Sequence, residues 1–415
     1  MDAEASAALR LGSLLLTSGA PAYRVIRAVK RCARALGFDD ADVIVGLDTL
    51  TCTFHRGEHF RTLAAVLPVP GVNASRIEAL ENFSRHDLHQ YVTAAQVETM
   101  LDEIEAIPSP RWSAPGSALA AGLACGGFAI LNHFSLLTAA LVVLAAGVGQ
   151  YVRQRLAAKH MLQLGVVMLA GAASTAIFLV LSLAVPGADT QLAAGFVPAI
   201  LYLIPGFPLF VAMNDLSRFD FSAGIARLCF ALEVIVTMML TVAVIAMITD
   251  APPPPLLDAA VAPSFYAAAA VASFLSVGGF AILFNASKRM ALLAASLGTV
   301  ANILRLVLLH AGVKFFLACF LGTLTIGLLG WALGRRFYVP RSTVTIPATV
   351  VMIPGTTIYA AMQQLTSGDV TGGISATTEV VLAVLFLAGG LTVARLCTDR
   401  NWAFQRHIDF RTDLS

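Results

Sequence analysis

The chain has 415 residues, of which 58% are hydrophobic and only 13% are charged, and its mean hydropathy is +0.79. This composition excludes an ordinary soluble globular protein and predicts a helical protein that crosses the membrane many times. The formal net charge of +2 gives no sign of nucleic-acid binding, and six cysteines without any CxxC spacing give no sign of a disulfide framework or a zinc site.

Residues 1–112 predict a soluble α+β domain that precedes the membrane-spanning part. Leucines at helical spacing predict a first helix that ends at Gly19, and a second helix ends at Gly37. A stretch rich in β-branched residues follows and predicts strands with a hairpin turn at 56–58. The N-terminus lacks the basic and apolar regions of a cleavable signal peptide, so we expect this domain to lie in the cytosol. Two polar helices complete it, near 73–85 and 93–105.

The remaining sequence contains ten apolar segments, which predict ten membrane-spanning helices. They form two groups of five, residues 113–249 and 263–397, joined by a stiff proline-rich external linker at 250–262. A cytosolic tail is expected at 398–415. The expected spans are 114–131, 134–152, 162–185, 191–213, 223–249, 263–284, 290–309, 312–333, 343–363 and 376–397.

Basic residues indicate how the spans are oriented. Loops on the side of the N-terminal domain contain ten Lys or Arg residues, whereas the opposite loops contain one, Lys314. Because cytosolic loops of membrane proteins are enriched in Lys and Arg, both termini are expected in the cytosol. The ten residues are Arg153, Arg155, Lys159, Arg218, Arg227, Lys288, Arg289, Arg335, Arg336 and Arg341.

The two groups of spans carry related sequences. GGFAIL occurs at 126–131 and again at 278–283, and IPG occurs at 204–206 and 353–355. Around the IPG motifs, 11 of 28 aligned positions are identical without a gap. Since each group has an odd number of spans, the second must lie inverted relative to the first. The sequence therefore predicts an all-α membrane bundle of two inverted five-helix repeats, behind an N-terminal α+β domain.

The IPG motifs predict broken membrane helices. Pro205 and Pro354 each remove a backbone donor, and Gly206 and Gly355 tolerate the unwound backbone that results. Backbone groups freed at membrane depth must face protein or a water-lined cavity, where they can bind an ionic ligand. A plain kink explains one such pair equally well, but two symmetry-related pairs favour a substrate-binding site.

Polar residues follow both motifs and are candidates to bind a substrate or a proton. Asp220 and Asp369 are equivalent in the two repeats and would lie at opposite faces of the membrane, which suits proton loading or gating. Each also precedes a helix start, so helix capping explains them at least as well. Further candidates are Asp215 for protons, and Asn214, Thr356, Thr357, Tyr359 and Gln363 for the substrate.

The predicted spans contain the charged residues Glu233, Glu379 and Arg305, and charge at such positions is costly and usually functional. Glu233 lies deep in the fifth span and is the stronger candidate to carry protons. Glu379 lies near the outer end of the tenth span, where water alone could hydrate it. Arg305, in the outer part of the seventh span, could clamp a substrate carboxylate through two hydrogen bonds or extend to the membrane surface.

Several motifs occur together along nearly the whole chain: LLLTSGAPAYRVIRAVKRCARALG, PRW before the first span, and IPG followed by NDLSRFDFSAGIARL. With them the chain resembles the threonine/serine exporter family, in a form that fuses the two repeats. The resemblance implies a secondary exporter of L-threonine and L-serine in the bacterial inner membrane, driven by the proton-motive force. The chain departs from the family at Pro21 and Ile26, where related chains usually carry acidic residues.

We therefore expect an exporter that works by alternating access, with a zwitterionic substrate between the fourth and ninth spans. One alternative is a dicarboxylate (succinate) exporter on the same scaffold, which would need a second cationic clamp besides Arg305. Another is a membrane sensor that acts through the N-terminal domain, although ten spans exceed what an anchor needs.

No ATP-binding, hydrolase or dinucleotide-binding motif is visible, so we expect no enzymatic activity, metal or cofactor. The expected partners are a small polar substrate, protons and the lipid bilayer, and no nucleic acid. Small-residue patterns serve packing within the bundle as readily as dimer contacts, which leaves a homo-oligomer open.

Overall fold

In a computed structural model the chain is mostly helical, with a small mixed domain at one end of a helical bundle. The structure describes residues 1–88, 90–185, 192, 194–249, 263–404, 408 and 410. The predicted proline-rich linker at 250–262 and most of the predicted tail lie outside these residues.

The N-terminal domain packs helices on a three-stranded antiparallel sheet whose central strand is β2 (Thr49–Arg56). Leu50, Cys52 and Phe54 alternate along β2 and are fully buried in the core beneath the helices. The predicted hairpin turn after Arg56 and the predicted order of helices and strands are confirmed. The elements are α1 (Asp2–Thr17), α2 (Ala22–Ala35), β1 (Asp40–Val45), β2 (Thr49–Arg56), β3 (His59–Val66), α3 (Ala74–Asn82), a π-helical turn (Phe83–Asp87) and α4 (Ala94–Glu105).

The bundle contains eight helices that are long and apolar enough to cross a membrane, among the described residues, and ten spans if each of two bent helix pairs counts as one. Every predicted span coincides with one of these helices or pairs. The bundle helices are α5 (Ala114–Leu131), α6 (Leu136–Ala157), α7 (Gln163–Leu183), α8 (Phe196–Ala199), α9 (Gly206–Leu216), α10 (Phe221–Ile248), α11 (Pro263–Leu283), α12 (Lys288–His310), α13 (Phe315–Phe337), α14 (Arg341–Val350), α15 (Gly355–Thr366), α16 (Val370–Thr398) and the short α17 (Arg400–Ala403).

Both IPG motifs interrupt a helix, as predicted. The segment Phe196–Leu203 meets α9 at an angle of 55°, and α14 meets α15 at 53°. Pro205 and Pro354 occupy the N-cap positions of the helices that restart. A proline cannot donate to the preceding turn, so each helix ends before it and begins again after it.

The two breaks pack against each other reciprocally. A Cβ atom placed on Gly206 would lie 2.8 Å from Cγ2 of Val350, and one placed on Gly355 would lie 2.9 Å from Cδ2 of Leu201. Val350 occupies the same position before the second IPG motif that Leu201 occupies in relation to the first. Each restarting helix therefore lies against the segment that leads into the other break, and a side chain at either glycine would force the facing side chain to shift.

A second reciprocal contact joins α5 and α11, which carry the two GGFAIL motifs. A Cβ atom on Gly127 would lie 2.5 Å from the backbone oxygen of Ala272, and one on Gly279 would lie 2.4 Å from the backbone oxygen of Ala120. The repeated glycines are thus explained by the close approach of two helix backbones, which leaves no room for a methyl group.

The N-terminal domain is bound to one end of the bundle, here named the domain end; the opposite end is named the open end. The amide of Ala74 donates to the carbonyl oxygen of Phe284 at 2.9 Å, and the side-chain amide of Asn285 donates to that of Val72 at 3.0 Å. These bonds tie the start of α3 and the loop before it to the loop between α11 and α12.

Adjacent glycines of α11 provide a matched test of this packing. We expect Gly279→Ala to lower the free energy of unfolding by about 1–3 kcal/mol, because the new methyl group would meet the backbone of α5. Gly278→Ala is the control, since its Cβ would lie 3.7 Å from Ala295, an ordinary contact. Thermal unfolding in detergent measures both variants, and equal melting temperatures for the two would contradict the close contact.

Candidate functional site

A cavity of about 880 Å³ lies at the open end of the bundle. Its walls come from the end of α5, the C-terminal part of α12, the first three turns of α15 and the first turns of α16. The structure brings six predicted site residues together here, although they are scattered over the second half of the sequence. They are Arg305, Thr356, Thr357, Gln363, Asp369 and Glu379.

Arg305 is held in place by two buried polar side chains. Asn302 donates from its side-chain amide to the hydroxyl oxygen of Ser273 at 2.9 Å, and Nε of Arg305 donates to Oδ1 of Asn302 at 3.0 Å. Asn302 and Ser273 have no solvent exposure, so this chain of bonds fixes how Arg305 enters the cavity wall. A guanidinium oriented in this way suits recognition of a carboxylate.

Two carboxylates line the same cavity. Asp369 accepts a hydrogen bond from the amide of Gly372 at 3.0 Å and caps α16, so the capping role expected from the sequence is confirmed. Its position in the cavity wall is compatible with a second role as a cation ligand. Glu379 lies further along α16 with an exposed side chain. The cavity thus combines one arginine with two acids.

Hydroxyl and amide groups complete the polar lining. Thr356 and Thr357 lie in the first turn of α15, where backbone N–H groups lack acceptors within the helix and the helix dipole favours an anion. Thr356 also donates from its hydroxyl to Oδ1 of Asn132 at 3.3 Å, which connects α15 to the end of α5. Gln363 lies two turns beyond them on the same helix.

The glycines of the IPG motifs do not offer the donors expected from the sequence. The amide of Gly206 donates to the carbonyl oxygen of Ile204, and that of Gly355 to Ile353, both at 2.8 Å. These tight turns occupy the two amides in this conformation. The donors available at the second break are therefore in the next residues of α15 rather than at Gly355 itself.

Tyr359 also lies elsewhere than expected. Its side chain is 1% exposed and packs edge-on against the ring of Phe196, with 5.5 Å between ring centroids. It does not line the cavity, because its direction on α15 is toward α8 in the core. Tyr359 is thus part of the packing between the two broken helices.

Two charged residues of the first repeat, Asp215 and Arg227, serve the contact with the N-terminal domain. Oδ2 of Asp215 lies 3.4 Å from Nε of Arg227, and its Oδ1 accepts from the amide of Ala22 at 3.0 Å. Arg227 in turn donates to the carbonyl oxygen of Ala20 at 3.0 Å. Asp215 and Arg227 are both buried, so this ion pair holds the start of α2 against the bundle. Arg227, counted among the loop residues in the sequence, lies inside α10.

Three further candidates lie away from the open-end cavity. Asn214 accepts from the guanidinium of Arg395 at 2.6 Å at the domain end. Asp220 occupies the N-cap position of α10, with Oδ2 at 3.9 Å from Nε of Arg218. Glu233 has an exposed side chain on the outer face of α10 and lines neither this cavity nor the domain contact.

The sequence analysis missed the contribution of α5. Asn132 and His133 directly follow the first GGFAIL motif and line the cavity, so the polar residues at the end of that motif were the available signal. Burial, and to a smaller extent the charge of His310, lowers the pKa of His133, which therefore is neutral at neutral pH. Arg305 is then the one cation among the described residues that line the cavity.

Removing the buried acid tests the contact between domain and bundle. We expect Asp215→Ala to cost about 3–5 kcal/mol, because it leaves Arg227 buried without its carboxylate. Hydrogen exchange of α2 should accelerate, and the melting temperature in detergent should fall.

The double variant Asp215→Leu/Arg227→Leu is the control, since removing both charges should restore part of the loss. Unchanged exchange in α2 after Asp215→Ala would contradict the role of this ion pair.

Comparison with protein families finds two matches that together cover most of the chain. Residues 6–249 match the family described as "Putative threonine/serine exporter", and residues 269–397 match the family described as "Threonine/Serine exporter, ThrE". The two matches correspond to the N-terminal domain with the first five spans, and to the second five spans.

Similar curated proteins include the "Probable succinate transporter subunit YjjP" of Escherichia coli, which is 27% identical over 242 residues, or 58% of this chain and 92% of the relative. The protein of the same name from Klebsiella aerogenes is 26% identical over 236 residues, or 57% and 89%. An uncharacterized protein of Haemophilus influenzae is 34% identical over 84 residues, or 20% and 28%. No solved structure is significantly similar to the chain.

Proposed function

The chain belongs to the threonine/serine exporter family, and on this premise we propose that it exports L-threonine and L-serine from the cytosol by proton antiport. The observation that carries the proposal is the set of charges in the open-end cavity, where Arg305 lies together with Asp369 and Glu379. An α-amino acid carries one carboxylate and one ammonium group, and this cavity offers ligands for both.

Each group of the substrate has a chemical partner in the cavity. The carboxylate is bound by Arg305 and by the first turn of α15 at Thr356 and Thr357. The ammonium group is bound by Glu379 or Asp369. The hydroxyl that distinguishes threonine and serine from other small amino acids hydrogen-bonds to the side chain of Gln363 or to a threonine hydroxyl.

A dicarboxylate such as succinate is the alternative substrate, and it is favoured by the printed name of the Escherichia coli relative. A dianion would place its second carboxylate toward Asp369 or Glu379, where the like charges repel it. His133 is neutral and does not supply a second cation. The charge balance therefore favours a zwitterion. A sensor acting through the N-terminal domain would not need a polar cavity at the opposite end of the bundle.

Alternating access follows from a proposed inverted relation between the two halves. The first half begins at the domain end with α5, whereas α11 begins the second half at the open end and reaches the domain at Phe284. In a two-fold relation, every contact between a residue of one half and a residue of the other is repeated by the equivalent pair of residues. The reciprocal glycine contacts have this form, and they support a two-fold relation between the halves.

The domain end is proposed to face the cytosol of a bacterial inner membrane, in keeping with its basic loops. This conformation is then open to the outside. The N-terminal domain closes the cytosolic entrance at the first break, where Gly19 lies beside the ring of Phe207. Loading a substrate from the cytosol requires this contact to loosen.

Proton coupling follows from competition for the same carboxylates. On the outside, protonation of Glu379 or Asp369 removes the partner of the ammonium group and releases the substrate. On the cytosolic side, loss of the proton restores the charge and admits the next substrate. Glu379 is the stronger candidate, because Asp369 also caps a helix and Glu233 lies outside the cavity.

Uptake into inside-out vesicles tests the substrate. Labelled threonine, serine and succinate are supplied in turn, with and without an imposed proton gradient, and we expect gradient-dependent accumulation of threonine and serine. Arg305→Gln should raise the half-saturating concentration about tenfold or more, since it removes charge-assisted hydrogen bonds to the carboxylate. Arg336→Gln, an arginine outside the cavity, is the matched control.

Accumulation of succinate alone would replace the proposed substrate, and accumulation of none of the three by folded protein would contradict an exporter.

Neutralising the two intramembrane glutamates separately tests the coupling. We expect Glu379→Gln to abolish accumulation of substrate against its concentration gradient. The residual uptake by this variant should be independent of the pH on the open-end side of the membrane. Glu233→Gln should accumulate substrate as the unmodified protein does, because its side chain lies on the outer face of α10. A Glu379→Gln variant with normal accumulation and normal pH dependence would remove Glu379 from the mechanism.

A further inference from the structure

A second cavity, of about 540 Å³, lies at the domain end between the N-terminal domain and the bundle. One wall is formed by α2 and by residues at the end of α3 and in the π-helical turn. The other wall is formed by the end of α13, the loop after it, and the end of α16. It shares no lining residue with the open-end cavity, and the proposed transport mechanism does not use it.

The lining of this cavity is strongly basic. Asp399 is the one acid among the described lining residues, and its Oδ1 already accepts from the amide of Trp402 at 3.1 Å. Glu81, buried nearby, lies 3.3 Å from Nη1 of Arg24 and 2.8 Å from Nη2 of Arg85. Six arginines against these two carboxylates leave an excess of four positive charges. The six are Arg24, Arg27, Arg31, Arg85, Arg335 and Arg341.

Arg27 and Arg31 form no ion pair within 4 Å among the described residues, although Glu81 attracts both from a greater distance. Together with Arg24 they occupy one face of α2, at the spacing of successive helical turns. Nε of Arg27 is buried without a hydrogen-bond acceptor in the part of the chain that the structure describes. Burial, followed by the charges of Arg27 and Arg24, lowers the pKa of Arg31 to about 10. The guanidinium groups of these three arginines therefore repel one another.

Such a cluster disfavours folding unless an anion compensates it, because partly buried charges need partners. Arginine presents a planar fork of donors that matches phosphate oxygens, and several arginines around one cavity are typical of phosphate recognition. The volume lies within the roughly 300–1,000 Å³ that small-molecule sites occupy. Trp331 adds an aromatic wall, and Arg335 stacks on it at 5.4 Å from the ring centroid.

We propose that this cavity binds a phosphate-bearing anion with at least two negative charges. The anion bridges Arg27 and Arg31 of the N-terminal domain to Arg335 and Arg341 of the bundle. The same phosphate chemistry is offered by a soluble compound such as a nucleotide and by the headgroup of an anionic phospholipid. In either case the occupant fastens the domain to the bundle and so favours the closed cytosolic entrance.

Binding to the purified full-length protein tests the proposal without any transport assay. In one arm, pyrophosphate and ATP are titrated calorimetrically into protein in phosphate-free detergent solution. In the other arm, melting temperatures are compared in nanodiscs of phosphatidylcholine with and without cardiolipin. The test variant is Arg27→Gln/Arg31→Gln. The control variant, Arg61→Gln/Arg155→Gln, removes the same charge from residues outside the cavity.

We expect at least one probe to bind, and the test variant to bind it about tenfold or more weakly while the control variant binds normally. Without a probe, the test variant should melt at the same or a higher temperature, since it relieves repulsion. The variant Arg27→Lys/Arg31→Lys should bind the probe with intermediate affinity, because it keeps the positive charges but loses the planar guanidinium groups and their paired donors. Binding of pyrophosphate or ATP identifies a soluble ligand, and stabilisation by cardiolipin alone identifies a lipid.

Absence of binding in both arms, or equal binding by the unmodified protein and the folded test variant, would overturn the proposal. Because neither arm measures transport, either result leaves the proposed export of amino acids to be judged by its own experiments.

Discussion

The contact between the two broken helices constrains the rest of the bundle. A membrane span that ends at a proline leaves backbone groups at a depth where no water is available, so these groups must face protein or a polar cavity. Here Gly206 and Gly355 each lie against the segment that leads into the other break. Both breaks are therefore sheltered by one shared contact in the core, and Tyr359 reinforces it by packing on Phe196.

Although the two breaks are alike in sequence, the two ends of the bundle have different surroundings. At the open end, Arg305 and Glu379 line a polar cavity beside the second break. At the domain end, the equivalent region is covered by the N-terminal domain, and Asp215 is paired with Arg227 beneath the start of α2. In the proposed mechanism this asymmetry makes the domain a cover for one entrance and explains why the chain carries it.

Six of the residues chosen from the sequence line the open-end cavity, and there are physical reasons why the others lie elsewhere. Charged residues in apolar segments stand out because the membrane penalises them, which singled out Arg305 and Glu379, whereas Asp369 was singled out by its equivalence to Asp220 in the repeat. Helical position decided the rest. Tyr359 points into the core and Glu233 points away from the bundle. The sequence indicates that a polar residue lies within a span, but it does not show in which direction the side chain points. Asn302 contributes by orienting Arg305, and this role depends on a hydrogen bond from Asn302 to a neighbouring helix.

By itself, the sequence determined the positions of the apolar helices, the position of both breaks, the internal sequence repeat and the order of elements in the N-terminal domain. These features depend on local composition and on proline and glycine chemistry, which need no knowledge of neighbours. Only the tertiary structure decided which polar residues share a cavity, which acid is paired with Arg227, and that the arginines of α2 meet those of α13 and α14. These contacts join residues that are far apart in the chain. They are set by how the helices pack, and a single sequence does not show helix packing.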